Sequence, residues 1–138
     1  MRSSLGIYWQ FLSRYLAPAG FDRHEYLMRE GDDADRLYLL LAGAVDVEVK
    51  LGSAGDRHRV STIEAGTTVG ELALFAGGKR TADVVAASKV RSLVLHRRQF
   101  EALAAAEPLI WSKLLRAVGH SMADRLRRAN AEIRALSR

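Results

Sequence analysis

A short run of residues around Gly70 has the side chains that bind a sugar phosphate. The sequence Gly70-Glu71-Leu72-Ala73-Leu74 is followed, after a short turn, by Arg80-Thr81-Ala82-Asp83. A phosphate is bound well by backbone N–H groups at the start of a helical turn and by a permanently charged guanidinium, which Arg80 supplies. A ribose hydroxyl is bound well by an ionised carboxylate, and Glu71 directly follows a glycine that lets the backbone come close. The segment therefore predicts a small binding site for a ribose phosphate.

The residues before and around this segment predict one helix and then many short strands. Apolar residues between positions 5 and 16 recur at helical spacing and predict an N-terminal helix that ends before Pro18. From residue 21 to residue 96, short apolar runs alternate with glycine-containing turns. The predicted strands are 26–28, 37–41, 45–51, 60–63, 82–86 and 90–95. Short strands at regular turn spacing predict an antiparallel barrel or roll.

After His96 the helical periodicity returns. Residues 97–106 predict one helix, Pro108 predicts a break or bend, and residues 109–136 predict a longer helix. Apolar residues recur along the long helix every three or four positions, close to the repeat of a coiled-coil seam. They are Trp111, Leu115, Val118, Met122, Leu126, Ala129, Ile133 and Leu136. We expect the first half to pack on the strands and the half past Met122 to pair with another chain.

Composition places limits on the class of protein. The 138 residues, of which 49% are apolar, fit one domain with a packed core. The absence of cysteine excludes a thiol switch, a cysteine nucleophile and an iron–sulfur cluster in this chain, and it fits a reducing compartment. The apolar run 5–12 is short, is interrupted by Gln10 and has no cleavage pattern after it. We therefore expect no signal peptide, no membrane span and a cytoplasmic location.

The net charge of +5 is concentrated at the C-terminal end, where residues 108–138 carry seven Lys or Arg and two acidic residues. Such a segment could attract nucleic acid, anionic lipid or an acidic protein surface. The solvated face of an amphipathic helix is the favoured interpretation. A basic side chain near the C-terminus of the helix would then also complement the helix dipole.

The sequence contains no recognisable catalytic or metal-binding pattern. The four histidines lie in separate predicted elements, without the spacing of a zinc site. There is no nucleophile elbow, and residues 77–81 lack the first glycine that a nucleotide phosphate loop requires. We therefore expect a protein that is not an enzyme and that has neither a resident metal nor a cofactor.

Three glycine-marked blocks give the chain a resemblance to a known family. They are Arg29-Glu30-Gly31-Asp32, residues 37–45 and residues 66–71, with Arg80-Thr81 after them. In order and spacing they resemble the cyclic-nucleotide-binding domain family, in its bacterial regulatory form, over about residues 21–136. The resemblance implies a single α+β domain over residues 1–138. Its parts would be an N-terminal helix (1–20), an antiparallel, jelly-roll-like β-roll (21–96) with a phosphate-binding cassette (70–82), and two C-terminal helices (97–138).

The resemblance also implies roles for individual residues, with cAMP or cGMP as the ligand. Glu71 would accept the ribose 2′-hydroxyl proton, Arg80 would pair with the exocyclic phosphate oxygens, and Thr81 would donate to the phosphate or to a purine edge. A lid over the base would be formed by apolar residues of the last helix, with a wall beneath it formed by Ile63 and Val69, although such residues are core by default. The candidate lid residues are Leu114, Leu115, Val118 and Met122. The expected binding residues are Ile63, Val69, Gly70, Glu71, Leu72, Ala73, Arg80, Thr81, Ala82, Val118 and Met122.

The implied function is that of a sensor that controls an effector such as a transporter or an enzyme. The C-terminal sequence resembles cyclic-nucleotide domains appended to bacterial anion transporters of the sulfate-permease type and to some glutaminases, so the effector would lie upstream. A homodimer through the last helix is a possible assembly. Two alternatives remain open: a structural or dimerisation module that binds no nucleotide, and a truncated member of the cyclic-AMP-receptor transcription factors. No DNA binding is expected, because no recognition helix fits between the seam and Arg138.

Overall fold

A computed structural model of the chain describes residues 13–52, 55–71 and 76–136. Most of the predicted N-terminal helix lies outside these ranges, and residues 13–15 form a turn. The helical region predicted for residues 1–20 is wrong at its C-terminal end, because Ala17–Phe21 is a β-strand. Pro18 and Gly20 disfavour a helix there, and Pro18 is tolerated because this strand lies at the edge of its sheet.

Eight strands form two four-stranded antiparallel sheets, which confirms the predicted β-roll. They are β1 (Ala17–Phe21), β2 (Tyr26–Met28), β3 (Arg36–Ala42), β4 (Ala44–Leu51), β5 (Asp56–Glu64), β6 (Thr68–Val69), β7 (Asp83–Ala86) and β8 (Val90–His96). One sheet has the order β1-β8-β3-β6 and the other has the order β2-β7-β4-β5. All six predicted strands are present. Five have shifts of one residue or less at their ends, but β5 begins at Asp56, four residues before the predicted strand 60–63. β1 and the two-residue β6 were not predicted.

The strands enclose an apolar core between the two sheets. Strand residues that face away from this core are in part buried as well, because Leu37 on β3 and Leu95 on β8 belong to a second core on the other side of the sheet. The core of the roll consists of Leu27, Met28, Tyr38, Leu40, Val45, Ile63, Val69, Val84, Ala86, Val90 and Val94. Leu40 and Val45 are completely buried. Full burial of one such side chain stabilises the fold by about 1.5–3 kcal/mol.

Two helices follow the roll, as predicted. Helix α1 spans Arg97–Ala106 and helix α2 spans Pro108–Leu136. Pro108 occupies the first position of α2, where its missing N–H leaves no hydrogen bond unmade. The ring of Phe100 on α1 meets the ring of Trp111 on α2 edge-on, with centroids 4.2 Å apart. Together with Leu37 and Leu95 from the sheet, the facing sides of the two helices form a second core.

The two halves of α2 differ in burial. Ile110, Leu114, Ala117 and Val118 are buried in the second core. Beyond Met122 the helix is largely exposed, and Leu126 and Ile133 are 63% and 61% exposed. The expectation that the first half packs on the roll is confirmed, while pairing of the second half with another chain stays a prediction.

Candidate functional site

The predicted cassette begins at the end of β6, where the chain turns from strand into helical conformation. Gly70 has φ of +83°, a conformation that favours glycine. A Cβ atom at this position would lie 2.7 Å from Nη1 of Arg80 and 2.9 Å from Cε of Met28. Both backbone conformation and space therefore require glycine at position 70, and its carbonyl group is brought next to Arg80.

A second loop presents Arg80, and the turn after β2 holds this loop in place. The Arg80 N–H donates to the Asp32 carbonyl at 2.8 Å, and the Gly31 N–H donates to the Arg80 carbonyl at 2.9 Å. Nearby, the Ala34 N–H donates to the Gly78 carbonyl at 3.0 Å. These three backbone hydrogen bonds join the turn to the loop. The position of the Arg80 backbone is thus set by residues about fifty positions earlier in the chain.

The Arg80 side chain is a buried cation, 7% exposed. Its Nη1 donates to the Gly70 carbonyl at 3.0 Å, and its Nη2 donates to the Arg36 carbonyl. Burial lowers the pKa of Arg80 below its usual value, but an arginine remains protonated in proteins. Within the described ranges, no carboxylate forms an ion pair with it. The guanidinium is therefore a fixed positive charge with donor capacity left for an anion.

Glu71 is the matching buried anion, 2% exposed. Its Oε1 accepts a hydrogen bond from Nη2 of Arg125, which reaches across from α2. Its Oε2 is buried and has no hydrogen-bond partner among the residues that the structure describes. Burial, and then the neighbouring charge of Arg128, lower the pKa of Arg125. One carboxylate oxygen thus ties the cassette to α2, and the other oxygen is available to a donor.

The two charged side chains line a common cavity of about 360 Å³. Its remaining walls are mostly apolar. The cavity brings together seven of the predicted residues: Ile63, Val69, Gly70, Glu71, Arg80, Thr81 and Ala82. Its other lining residues are Met28, Val47, Ala76, Gly77, Lys79, Val84 and Arg125. A second cavity of about 450 Å³ lies between β5 and α2 and shares Ile63, Glu71 and Arg125 with the first.

The predicted lid residues are separated by the structure. Met122 lines the second cavity. Val118 is instead buried in the core between the helices and the sheet, 1% exposed, and it lines neither of these cavities. Helix α1 covers that stretch of α2, so the part of α2 that faces the site begins one turn later. Leu72 and Ala73 lie outside the described residues.

Arg125 is the site residue that the sequence did not reveal. It was counted only as part of a basic helical face, which is normally solvated. The available signal was its position three residues after Met122, because residues three apart share a helix face. Only the fold shows that a buried carboxylate lies opposite, since 54 positions separate Glu71 and Arg125.

The site provides a fixed cation, a hydrogen-bond acceptor and apolar walls. This combination suits a ligand with an anionic group, a hydroxyl group and an apolar ring. Among the residues that the structure describes, no cluster of three or more His, Cys, Asp or Glu side chains could hold a metal ion. None of the helices within those residues is long and apolar enough to cross a membrane.

The relatives of the chain include a transcriptional regulator and an enzyme. It is 30% identical over 119 residues to a CRP-like cAMP-activated global transcriptional regulator of Mycobacterium tuberculosis, covering 86% of this chain and 51% of the relative. It is 33% identical over 107 residues to Glutaminase 1 of Bradyrhizobium diazoefficiens, covering 78% of this chain and 16% of the relative. The chain thus spans about half the length of the regulator and a small part of the glutaminase.

The fold has solved counterparts. A cyclic nucleotide-binding domain from Methylobacillus flagellatus kt matches with a TM-score of 0.83 and 28% identity, over 90% of this chain and 69% of that one. The family model for the cyclic nucleotide-binding domain matches residues 19–107, which include strands β2 to β8, Glu71 and Arg80. The chain therefore belongs to the cyclic nucleotide-binding domain family.

Proposed function

We propose that this chain is a regulatory sensor that binds cAMP or cGMP in the cavity lined by Glu71 and Arg80, and that it performs no catalysis. One observation carries the proposal. A buried guanidinium without a carboxylate partner among the described residues and a buried carboxylate with a free oxygen line the same cavity. The phosphate of a cyclic nucleotide is an anion, and its ribose 2′-hydroxyl is a donor. The ligand therefore supplies the two partners that the protein lacks.

Electrostatics explains why the phosphate would bind strongly. A buried charge without an opposite charge is unfavourable, because it has lost its hydration. The Gly70 and Arg36 carbonyls compensate Arg80 only in part, since they are dipoles and not charges. A phosphate oxygen that accepts from Arg80 makes a charge-assisted hydrogen bond, worth about 1.5–3 kcal/mol. Binding of the anion thus offsets a cost that is already present in the folded protein.

The Glu71–Arg125 ion pair offers a route from the ligand to α2. A ribose hydroxyl that donates to Glu71 changes the electrostatic environment of this carboxylate, and Arg125 on α2 is its present partner. The purine base would lie towards the second cavity, between β5 and the half of α2 past Met122. The nucleotide would then contact the roll and α2 together. It would favour the docked position of α2 by no more than its differential affinity for the two positions.

The output is proposed to pass through the exposed half of α2. Leu126 and Ile133 are large apolar side chains that are more than half exposed in this half of the helix. Their seam spacing suits a homodimer through α2, which would be the state that the nucleotide regulates. The relatives described above include a transcriptional regulator and a glutaminase. An attached or partner effector of this kind would read the position of α2.

Isothermal titration calorimetry with cAMP and with cGMP tests the binding site. The decisive variant is Arg80→Ala. The matched control is Arg98→Ala, because Arg98 is an exposed arginine on α1 that lines neither cavity. We expect one nucleotide per chain and an affinity that falls at least about tenfold, or about 1.4 kcal/mol, in Arg80→Ala. Arg98→Ala should change the affinity by less than about twofold, since an exposed charge away from the cavity is screened by solvent and salt.

Each alternative has a distinct result. If the folded wild-type chain binds neither nucleotide, the chain is a structural or dimerisation module and the proposal is wrong. If Arg80→Ala binds as tightly as the wild type, the phosphate is held elsewhere and the assignment of this cavity is wrong. The nucleotide that binds more tightly identifies the signal, to which Thr81 would contribute by donating to the phosphate or to the purine.

A further inference from the structure

We propose that Asp83 is a positioning residue for Arg80, and that Arg57 holds Asp83 in its active orientation. The inference rests on the proposed function, since it concerns how Arg80 is presented to the nucleotide phosphate. Asp83 is the first residue of β7 and its side chain is 5% exposed. The next residue, Val84, lines the cavity. Because successive strand residues point to opposite faces, Asp83 acts from behind the cavity wall.

Both carboxylate oxygens of Asp83 are engaged by elements that are distant in the sequence. Oδ1 accepts the Glu30 N–H at 2.7 Å. Oδ2 forms an ion pair with Nη1 of Arg57 at 2.9 Å. Asp83 therefore links the turn after β2 to β5, through a charge-assisted hydrogen bond on one side and an ion pair on the other.

The turn that Asp83 holds is the one that fixes the Arg80 loop. Gly31 and Asp32, the two residues after Glu30, exchange hydrogen bonds with the carbonyl and the N–H of Arg80. Asp83 lies three residues after Arg80 on the same loop and strand. The segment from Arg80 to Asp83 is thus bonded to the same turn at both of its ends. Removing the Asp83 end would leave Arg80 attached to a turn that is free to shift.

Arg57 is itself restrained, so it can hold Asp83 in one orientation. Its Nη1 also donates to the Tyr26 hydroxyl, and the guanidinium carbon lies 5.2 Å from the centre of the Tyr26 ring. Glu48 is a second carboxylate at 3.8 Å. Arg57 compensates the charge of Asp83 on the side away from the cavity, so the compensation does not consume Arg80.

A double-mutant cycle with Arg80 separates positioning from general stability. We would measure the affinity of the tighter-binding cyclic nucleotide for the wild type, Asp83→Ala, Arg80→Ala and the double variant. We expect Asp83→Ala to lose about tenfold in the wild-type background and less than about twofold in the Arg80→Ala background, because it acts through Arg80. The corresponding nucleoside, which lacks the phosphate, should bind wild type and Asp83→Ala equally. Equal losses in both backgrounds would overturn the inference.

A second measurement needs no ligand. In the wild type, the amides of Gly31 and Arg80 are bonded across the turn, so hydrogen exchange there reports the opening of this contact. We expect Asp83→Ala to speed their exchange at least about tenfold relative to the amides of β3 and β8, which report global unfolding. Glu30→Ala is the matched control, because Glu30 lies on the same turn and is exposed, and the variant keeps the backbone N–H that donates to Asp83. Unchanged relative exchange in Asp83→Ala would overturn the inference.

The milder variant Arg57→Ala keeps the test decisive if Asp83→Ala does not fold. It retains the Glu30 contact and removes only the charge partner, so a smaller acceleration at Gly31 and Arg80 is expected. Failure of the two proposals is distinguishable. A wild-type chain that binds no nucleotide contradicts the sensor function. If neither Asp83→Ala nor Arg57→Ala changes hydrogen exchange at the Gly31 and Arg80 amides, the positioning role is contradicted, whether or not nucleotide binds.

Discussion

Replacing Gly70 by alanine should damage the fold and the site together, and the structure allows the two costs to be separated. The first cost is conformational, since φ at this position is +83°. A left-handed backbone costs an alanine about 1–2 kcal/mol, and the loss of chain entropy in the unfolded state returns about 0.4–1 kcal/mol. The net conformational cost is therefore on the order of 1 kcal/mol.

The second cost is steric. The new methyl group would lie 2.7 Å from Nη1 of Arg80, 2.9 Å from Cε of Met28 and 3.3 Å from the Arg36 carbonyl oxygen. Met28 can move, but Arg80 is held by two carbonyls and is buried. Overpacking of this kind costs about 1–3 kcal/mol. The expected total is about 2–4 kcal/mol of unfolding free energy. The affinity for nucleotide should fall as well, because the methyl group displaces the guanidinium that would bind the phosphate.

Gly66 provides the matched control. Its φ is +96°, yet a Cβ atom there would have nothing within 4 Å. Gly66→Ala should therefore cost only the conformational term, about 1 kcal/mol, and leave nucleotide affinity unchanged. Urea unfolding gives the two free energies and calorimetry gives the two affinities. If both variants lose the same unfolding free energy, the steric cost assigned to position 70 is refuted. If Gly70→Ala binds nucleotide normally, the close approach of Gly70 to Arg80 does not position the guanidinium for the ligand.

Two further predictions concern the core and the second half of α2. Burial raises the pKa of Tyr38, so the stability that the neutral phenol contributes should be present below its unfolded pKa of about 10 and be lost as the pH rises through its folded pKa. Tyr38→Phe removes the hydrogen bond to the Leu27 carbonyl and should cost about 1–2 kcal/mol of unfolding free energy at pH 7. In urea unfolding, the variant should lose less stability above pH 10 than the wild type does. Parallel pH profiles of the two proteins would contradict this. Leu126→Glu with Ile133→Glu should convert a dimer into a monomer in analytical ultracentrifugation, because each apolar side chain contributes about 1.5–3 kcal/mol when buried. Leu109→Glu, an equally exposed position at the other end of α2, should leave the dimer intact, and a monomeric wild type would refute the assembly.

The parts of the molecule that follow from neighbouring residues were predictable. The Gly70-Glu71 step and Arg80 lie ten positions apart, and their chemistry is visible in the residue types. Helix α1 was predicted at its observed bounds and α2 within one residue, because both show helical periodicity and Pro108 marks the boundary between them. These features depend on patterns of residues that are close together in the sequence, so the sequence alone predicts them.

The parts that depend on distant partners were not predictable. β1 has the sequence Ala-Pro-Ala-Gly-Phe, which resembles a break, and it becomes a strand only because β8 pairs with it along its whole length. Val118 has the spacing of a lid residue, but α1 covers it with Phe100 and Leu103. The role of Arg125 was not predictable for the same reason, because it depends on the Glu71 carboxylate, which lies in another element. In each case tertiary contacts decide between roles that the local pattern allows.

The two hydrogen bonds from Arg80 to backbone carbonyls have a consequence for the thermodynamics of binding. A free arginine side chain has about 2 kcal/mol of rotamer entropy, which a ligand must overcome if it orders the side chain itself. Here the Gly70 and Arg36 carbonyls order the guanidinium during folding, before any ligand arrives. The anion therefore meets a preorganised donor, and the entropic cost of ordering it belongs to the stability of the domain and not to the affinity. The ordered guanidinium of Arg80 can then bind even a weakly interacting anion on its own. Substitutions that destabilise the β-roll would reduce nucleotide affinity even where they remove no contact with the ligand.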